Sequence, residues 1–276
     1  MVMTQPPAFI DSFLSLPLSL LALCVMGVWT LVAVLVHRVL VPWIAGRDGR
    51  LIGKFEAEVA SQLGLVLGLL LSFNAVTVWE QSGAARDATL AEASALREIH
   101  DLLSELPAEE AAATRSRLRS YLDYVIKEEW PELGRGAPGL DKPQPLRDLA
   151  RLARSSGNED LRDAVTSATT ARDDRIRIAT SRMLPARWGI VIFLGALALL
   201  SIGLIHAENR RARAIAVSMV AFAIGACFVV LMVQARPFLG ALALKPTELD
   251  VLARAIDSGD SPPTERLAVG PKDALD

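Results

Sequence analysis

The chain has 276 residues, of which 52% are hydrophobic and 22% are charged, and its formal net charge at pH 7 is −2. A water-soluble globule of this length would intersperse its charged residues, whereas here long stretches carry none. No basic region with interleaved aromatic residues is present, so we expect no nucleic-acid partner. The two cysteines, Cys24 and Cys227, lie in apolar stretches and form no CxxC motif, which predicts no disulfide framework.

Four stretches contain no Asp, Glu, Lys or Arg, and they cover residues 12–36, 59–79, 188–207 and 214–235. An α-helix rises about 1.5 Å per residue, so each stretch is long enough to cross a hydrocarbon core of ~30 Å. Lipid offers no partner to backbone N–H and C=O groups, and each stretch is therefore predicted to be helical. The first lacks a basic leader and a cleavage site, so we interpret it as a retained helix. The sequence predicts an all-α protein with four membrane spans.

In chain order, the spans are placed at residues 16–41, 58–79, 187–207 and 213–235. The first two form an N-terminal membrane hairpin within residues 1–79, and the last two form a C-terminal membrane hairpin within residues 187–235. A water-soluble helical segment is expected at residues 80–186, between spans two and three. A polar tail occupies residues 236–276, with a short amphipathic helix near its start.

Apolar residues in the middle segment recur at spacings of three and four, as they do on amphipathic helices. One stripe runs from Leu96 to Leu106, and a second helix begins at Pro107 and ends near Pro131. Residues 134–145 are rich in Gly and Pro and predict a loop, after which two further helices follow. Each helix is apolar on one face only. We expect these faces to pack on each other, on a neighbouring subunit, or on both.

The sequence leaves open which side of the membrane the middle segment faces. The short connections within the two hairpins carry several Lys and Arg residues, whereas the N-terminal tail carries none. By the positive-inside rule this pattern favours cytoplasmic connections and an external middle segment. An arginine-rich stretch before the third span argues for the opposite orientation; it contains Arg172, Arg175, Arg177, Arg182 and Arg187.

Catalytic motifs are missing from the sequence. The HExxH, P-loop, GxSxG and GxGxxG patterns are all absent, and none of the three histidines has a metal-ligand companion at helical spacing. Adjacent acids such as Glu128 and Glu129 point in different directions on a helix and are interpreted as solvated. We therefore expect no enzyme activity, no cofactor and no metal site.

Small side chains line one face of the second span at spacings of three and four, namely Ser61, Gly64, Gly68 and Ser72, with Ala57 and Ala75 at the ends. Span four has a similar line of Ala214, Ser218, Ala221 and Gly225. In lipid, such lines allow helix backbones to approach closely and so favour helix–helix packing. The alternative interpretation is a narrow water-filled path.

Asn74 is the most polar residue of span two, and it needs a hydrogen-bond partner in lipid. It is either an interhelical hydrogen-bond donor or, with Ser72 and Phe73, part of a constriction. Trp79 and Trp188 are placed at water boundaries as anchors. Glu80, Arg172, Arg175 and Arg182 are pore-mouth candidates; the alternative for the arginines is a charged helix flank beside the membrane or a contact with anionic headgroups.

Several short motifs, in this order and spacing, resemble the bacterial bestrophin-like family of four-span membrane proteins. They include Glu58-Val59-Ala60 through Trp79-Glu80, Glu92-Ala93, Leu106-Pro107, Tyr121, Glu128-Glu129-Trp130, Arg172 with Arg175, Leu184-Pro185 with Trp188, and Pro237-Phe238-x-Gly240. Members commonly have a His-Asn pair before the second span, where this chain has Lys54-Phe55-Glu56-Ala57, so no role of that pair carries over. The resemblance implies a homo-oligomeric anion channel, with a pentamer as one candidate and span two around a central pore. It also implies a cytoplasmic middle segment.

Two functions are consistent with these observations. The first is an oligomeric channel of the bacterial inner membrane that passes small anions, with span two lining the path and membrane lipid and further copies of the chain as partners. The second is a non-conducting membrane sensor or assembly scaffold whose soluble helices bind a partner protein.

Overall fold

The computed structural model of the chain describes residues 16–46, 49, 51, 55–135, 139, 141–181, 185–240 and 242–258. The predictions that concern the first fifteen residues, the charged connection at residues 47, 48, 50 and 54, the pore-mouth candidate Arg182 and the end of the tail lie outside these residues. Every regular element in the described part is a helix, and no β-strand occurs there. The all-α prediction is confirmed.

The helices are numbered α1 to α8 in chain order. Helix α1 covers Leu18–Leu35 and continues through a π-helical turn at Val36–Leu40 into Val41–Ala45; α2 covers Ala57–Asp101, with a 3₁₀ turn at Leu102–Ser104. Helix α3 covers Ala108–Tyr124, a π-helical turn at Val125–Glu129, and Trp130–Gly134. The remaining helices are α4 Gln144–Ser155, α5 Glu159–Thr180, α6 Pro185–Ile205, α7 Arg210–Gln234 and α8 Thr247–Ser258.

Four helices are long and apolar enough to cross a membrane, and they are α1, α2, α6 and α7. The prediction of four membrane-spanning helices is confirmed, with a helical segment between the second and third. The predicted second span and the first amphipathic stripe of the middle segment belong to one uninterrupted helix, α2, of 45 residues. No proline lies between Trp79 and Leu96, and the single glycine there, Gly83, is tolerated within the helix, so the helix continues past the predicted boundary.

Two helices pass through a proline where the sequence suggests an end. Pro42 and Pro131 each follow a π-helical turn, in α1 and α3 respectively. Proline has no N–H to donate and its ring clashes with the carbonyl one turn earlier in a regular α-helix. A π-helical turn adds one residue and changes which carbonyl faces the ring, so the helix continues. This explains why span one reaches Ala45 and why α3 reaches Gly134.

The chain divides into two compact units. The membrane unit comprises Met1–Gly83 and Ser181–Ala243, and the middle unit comprises Ala84–Thr180 and Leu244–Asp276. Helix α8 therefore belongs with the middle unit, although the sequence treats it as part of a separate tail. Arg119 of α3 forms a bidentate ion pair with Asp257 of α8, at 2.7 Å from Nε to Oδ1 and 2.9 Å from Nη2 to Oδ2.

The core of the membrane unit is built around Trp29 of α1. Its indole is 4% exposed and lies 5.3 Å from the ring of Phe228 on α7, measured between centroids. Small residues of the neighbouring spans make room for it. A Cβ at Gly195 of α6 would stand 2.5 Å from the Trp29 ring, and one at Gly225 of α7 would stand 2.8 Å from Sδ of Met26. Gly225, at the end of the small-residue line of span four, thus packs against span one within the same chain, whereas Ser218 of that line is exposed.

The core of the middle unit is formed by the apolar stripes that the sequence predicts. Leu96 and Ile99 of α2, Leu118 and Leu122 of α3, and Leu149 of α4 are all fully buried. No large hydrophobic side chain among the described residues of this unit is exposed; all that are exposed lie in the membrane unit. The middle unit therefore presents a water-compatible surface, as expected for a segment outside the lipid.

Gly195→Ala is expected to destabilise the membrane unit. The added methyl group meets the rigid Trp29 ring, and overpacking of this kind costs about 1–3 kcal/mol. The measurement is the thermal unfolding midpoint of the full-length protein in mild detergent, which we expect to fall.

The matched control is Gly27→Ala in α1, because a Cβ there meets nothing within 4 Å. Its midpoint should stay the same or rise slightly, since alanine is the better helix former. Equal losses for both variants would contradict the packing role of Gly195.

Candidate functional site

The membrane part of α2 is barely covered by its own chain. Only 6% of an apolar stretch of 18 residues in α2 is buried within the chain. For the corresponding stretches of α1, α6 and α7 the buried share is 28%, 39% and 33%. The predicted small residues Ser61, Gly64, Gly68 and Ser72 are all exposed. A Cβ at Gly64 or Gly68 would meet nothing within 4 Å. This face is therefore free for contact with another molecule.

A second exposed stripe runs along α2 beside the small residues. Its members recur at spacings of four, three, four, four, three and four, so they share one side of the helix; they are Glu58, Gln62, Leu65, Leu69, Phe73, Val76 and Glu80. The centre of this stripe is apolar, with Leu65 75% and Phe73 60% exposed. Its ends are carboxylates. We call this set the apolar stripe.

The polar groups of span two bond to their own helix. Ser72 Oγ donates to the carbonyl oxygen of Gly68, Thr77 Oγ1 to that of Phe73, and Asn74 Nδ2 to that of Leu70, at 2.8–2.9 Å. Asn74 forms no hydrogen bond to another helix in the described part of the chain. Within this chain the amide of Asn74 thus bonds to its own helix, and an interhelical hydrogen bond stays a prediction.

Ser72, Phe73 and Asn74 do not share a face. Consecutive residues on an α-helix point about 100° apart. In the structure Ser72 lies with the small residues, Phe73 lies on the apolar stripe, and Asn74 is half-buried on a third side. The three side chains therefore leave the helix in three directions, and the constriction of Ser72, Phe73 and Asn74 stays a prediction.

Two of the pore-mouth candidates lie inside the middle unit. Arg172 and Arg175 of α5 are 0% exposed, as are Glu92 of α2 and Glu129 of α3. We call these four residues the buried ion cluster. It contains two positive and two negative side chains, so its formal charge is zero.

Arg175 binds both carboxylates of the cluster. Its Nε lies 2.6 Å from Oε2 of Glu92, and its Nη2 lies 3.0 Å from Oε1 of Glu92 and 2.7 Å from Oε1 of Glu129. Its guanidinium carbon also lies 5.1 Å from the centroid of the Trp130 ring, within the range of a cation–π interaction. The cluster therefore joins α2, α3 and α5.

Arg172 completes the cluster on the other side of Glu129. Its Nε donates to Oε2 of Glu129 at 2.9 Å, and its Nη2 donates to the carbonyl oxygen of Asp141 at 3.2 Å. Neither arginine presents a free charge at a surface, so the interpretation of this pair as an anion-gathering pore mouth is replaced by an internal ion pair. Glu129 is likewise buried, not solvated as the sequence suggested.

Tyr121 of α3 is tied to the same cluster. Its hydroxyl donates to Oε1 of Glu92 at 2.7 Å and is fully buried. The pKa of Tyr121 is raised well above its ordinary value. Burial is the largest cause, and the negative charge of Glu92 is the next. Burial alone would lower the pKa of Arg175, but the carboxylates of Glu92 and Glu129 outweigh it and raise that pKa. The phenol stays neutral and the guanidinium stays charged.

A signal for this cluster is present in the sequence. Glu92 lies four residues before Leu96, Glu129 lies four after Val125, and Arg172 lies four after Ala168. Each charge thus falls on the apolar, core-facing side of its helix. Charged residues on that side are rarely fully buried unless they are paired. Three such positions on three helices predict mutual pairing.

The remaining motif residues lie apart from the cluster. Trp79 and Glu80 are exposed on α2, as an interfacial anchor and its polar neighbour would be. Phe238 is 5% exposed, and Gly240 has a φ of +94°, a conformation that favours glycine after Pro237-Phe238. Trp130 Nε1 donates to the carbonyl oxygen of Leu244 at 3.0 Å. No group of His, Cys, Asp and Glu suited to a metal ion occurs among the described residues.

Arg175→Met is expected to lower the free energy of unfolding by about 3–5 kcal/mol, because it leaves the buried carboxylate of Glu92 without a cation. Arg177→Met is the matched control. Arg177 is 73% exposed, and among the described residues its ion-pair partner is Asp174 one turn away, so its loss should cost less than about 0.5 kcal/mol. Chemical unfolding of the full-length protein, followed by circular dichroism, measures both.

The double variant Glu92→Gln/Arg175→Met removes one charge of each sign. It should be more stable than Arg175→Met alone, since the cluster is neutral again. A double variant that is less stable than the single variant would contradict the electrostatic explanation.

Comparison with known proteins gives a family. The bestrophin-like domain matches residues 27–249. The fold is similar to that of a crystal structure of a membrane protein, with a TM-score of 0.61 and 14% sequence identity over 84% of this chain and 97% of the other. No curated protein sequence matches the chain. The family match includes the larger part of the first span, the other three spans in full and the buried ion cluster, and the chain belongs to the bestrophin-like family.

Proposed function

We propose that this chain forms an oligomeric ion channel, with α2 from each copy lining a central path. The observation that carries the proposal is the uncovered membrane part of α2, of which 6% is buried within the chain. A helix on the outside of a monomer has its faces available for other copies. Membership of the bestrophin-like family supports the same arrangement.

The two exposed faces of α2 suit two different contacts. The small residues, centred on Gly64 and Gly68, allow a neighbouring helix to approach closely, and close packing drives association in lipid. The apolar stripe then faces the centre of the ring. Its apolar part, from Leu65 to Val76, would be about 17 Å long at the helical rise per residue. Apolar constrictions of this kind gate ion flow by dewetting.

Two ion classes are candidates for the permeant species. Small anions are the expectation from the family resemblance. Cations are favoured by a specific observation, since the charged residues on the apolar stripe are the carboxylates of Glu58 and Glu80. Rings of carboxylates at the ends of a path attract cations. Arg172 and Arg175 do not offset them, because both are paired in the buried ion cluster.

The scaffold alternative has less support. It requires apolar faces on the middle helices that are free for a partner protein, and none of the large hydrophobic side chains described there is exposed. For the location of the channel we propose the bacterial cytoplasmic membrane, with lipid around α1, α6 and α7.

The proposal is tested by particle symmetry and by flux. The protein in mild detergent is imaged for rotational symmetry, and the same preparation is reconstituted in liposomes for ion flux. A closed ring around α2 together with flux is expected. A monomer, or a ring that passes none of several anions and cations, would reject the channel.

Phe73→Ser is expected to increase ion flux through the reconstituted protein, because it introduces a hydroxyl into the apolar stripe and favours wetting. Asn74→Leu is the matched control on the next residue. Asn74 lies on a different side and bonds to its own helix, so its loss should leave flux unchanged. If Asn74→Leu alters the current and Phe73→Ser does not, the assignment of faces is wrong.

Glu80→Gln distinguishes the two ion classes. If cations permeate, removing this carboxylate should lower the preference for cations, measured as a shift of reversal potential across a salt gradient. If anions permeate, the same change should raise the anion current. Arg117→Gln, on an exposed part of α3, serves as a control for general surface charge.

A further inference from the structure

A cavity in the middle unit lies between α4 and α5. Its volume is about 430 Å³, which is within the range of small-molecule sites. The lining residues come from the two helices and the residues that precede α4, so the cavity is held by one helical hairpin. The buried ion cluster does not line it.

The charges of this hairpin are sorted between the cavity and the rest of its surface. Residues 142–169 contain five cations and four carboxylates. All five cations line the cavity, and they are Lys142, Arg147, Arg151, Arg154 and Arg162. None of the four carboxylates lines it; they are Asp148, Glu159, Asp160 and Asp163. The cavity is therefore a concentrated positive site within residues 142–169, whose formal net charge is +1.

Most of this positive charge is not neutralised by neighbours. Lys142 pairs with Asp173 at 3.4 Å, and Arg151 pairs with Asp148 at 2.9 Å. Arg147, Arg154 and Arg162 form no ion pair with a carboxylate in the described part of the chain. Arg147 is held by the carbonyl oxygen of Lys142 and by Gln144, which are neutral acceptors.

The floor of the cavity is apolar. Leu146, Ala153 and Val165 are 1%, 1% and 3% exposed and belong to the core beneath it. Thr166 and Thr169 also line the cavity, but their hydroxyls donate to carbonyl oxygens of their own helix. The accessible uncharged lining is Ala150 and these two threonines, so a ligand with an anionic part and an apolar part fits the cavity.

We propose that this cavity binds a phosphate-bearing ligand that also has an apolar group. Guanidinium groups bind phosphate oxygens through paired N–H donors, and three arginines have no competing carboxylate. The apolar group would lie against Ala150, Thr166 and Thr169, because Leu146 and Val165 are already buried by the chain. Two sources have this chemistry, a soluble organic phosphate and the headgroup region of an acidic phospholipid. The proposal concerns a binding site and does not depend on ion conduction.

Binding is tested on the full-length protein in neutral detergent, with naphthyl phosphate as the soluble probe and isothermal titration calorimetry as the measurement. The triple variant Arg147→Gln/Arg154→Gln/Arg162→Gln should bind at least about tenfold more weakly than the unchanged protein. The matched control is Arg115→Gln/Arg117→Gln/Arg254→Gln, which removes the same charge from exposed arginines outside the cavity. It should bind as the unchanged protein does.

A second variant tests whether binding needs the space of the cavity as well as its positive charge. Thr166→Trp fills the space and leaves every cation in place, so it should also abolish binding. Circular dichroism and the unfolding midpoint check that the variants are folded. Binding that survives Thr166→Trp, or that falls equally in both triple variants, would overturn the proposal.

The source of the ligand is decided by two further arms. Phosphatidate retained by the purified protein is measured by native mass spectrometry, and naphthyl phosphate binding is compared in nanodiscs with and without phosphatidate. The site is assigned to lipid if the unchanged protein retains phosphatidate, the Thr166→Trp variant loses it, and phosphatidate in nanodiscs competes with naphthyl phosphate. Binding of naphthyl phosphate without competition assigns it to a soluble phosphate. If the unchanged protein binds neither probe, the proposal is rejected.

Discussion

The proposed assembly of several copies depends on one property of the second span: very little of it is packed against the rest of its own chain. In water, the exposed side chains of Leu65, Leu69 and Phe73 would be a liability. In lipid they are solvated, so exposure alone does not identify a contact surface. Close packing does, because it is the main source of attraction between helices when the hydrophobic effect is absent. The exposed glycines of α2 are therefore more informative about assembly than its exposed leucines.

The contrast between α2 and α7 illustrates this point. Both spans carry a line of small residues, and the sequence does not distinguish them. In the structure, Gly225 of α7 lies against Met26 of α1, whereas Gly64 and Gly68 of α2 have no neighbour. The same pattern thus serves packing within the chain in one span and remains available in the other. Which of the two applies depends on where the spans lie in space, and helical periodicity holds no information about that.

The buried ion cluster gives the middle unit a feature that an apolar core lacks. Burying two arginines and two glutamates costs desolvation energy that their mutual attraction only partly returns. Their geometry is specific, since Arg175 binds two carboxylates from different helices. An alternative packing of α2, α3 and α5 would leave a charge unpaired. The geometry of the cluster therefore favours the observed packing of these three helices.

The fold was largely predictable from the sequence, and the site was predictable only in part. Long uncharged stretches and apolar periodicity are local features, and they correctly identify the four spans and the core of the middle unit. The pairing of Glu92 with Arg175 joins residues 83 positions apart, and spacing within one helix does not reveal it. The two π-helical turns were missed because they arise from one extra residue, which leaves no compositional signal.

Those turns also have a consequence for how the chain tolerates insertions and deletions. A π-helical turn can be viewed as an α-helix with one residue added, so removing a residue from Val125–Glu129 would restore regular α-helical winding. Pro131 would then meet the carbonyl of the preceding turn. The extra residue and the proline are thus linked, and the same holds for Val36–Leu40 and Pro42. Relatives that lack one member of either pair should lack the other as well.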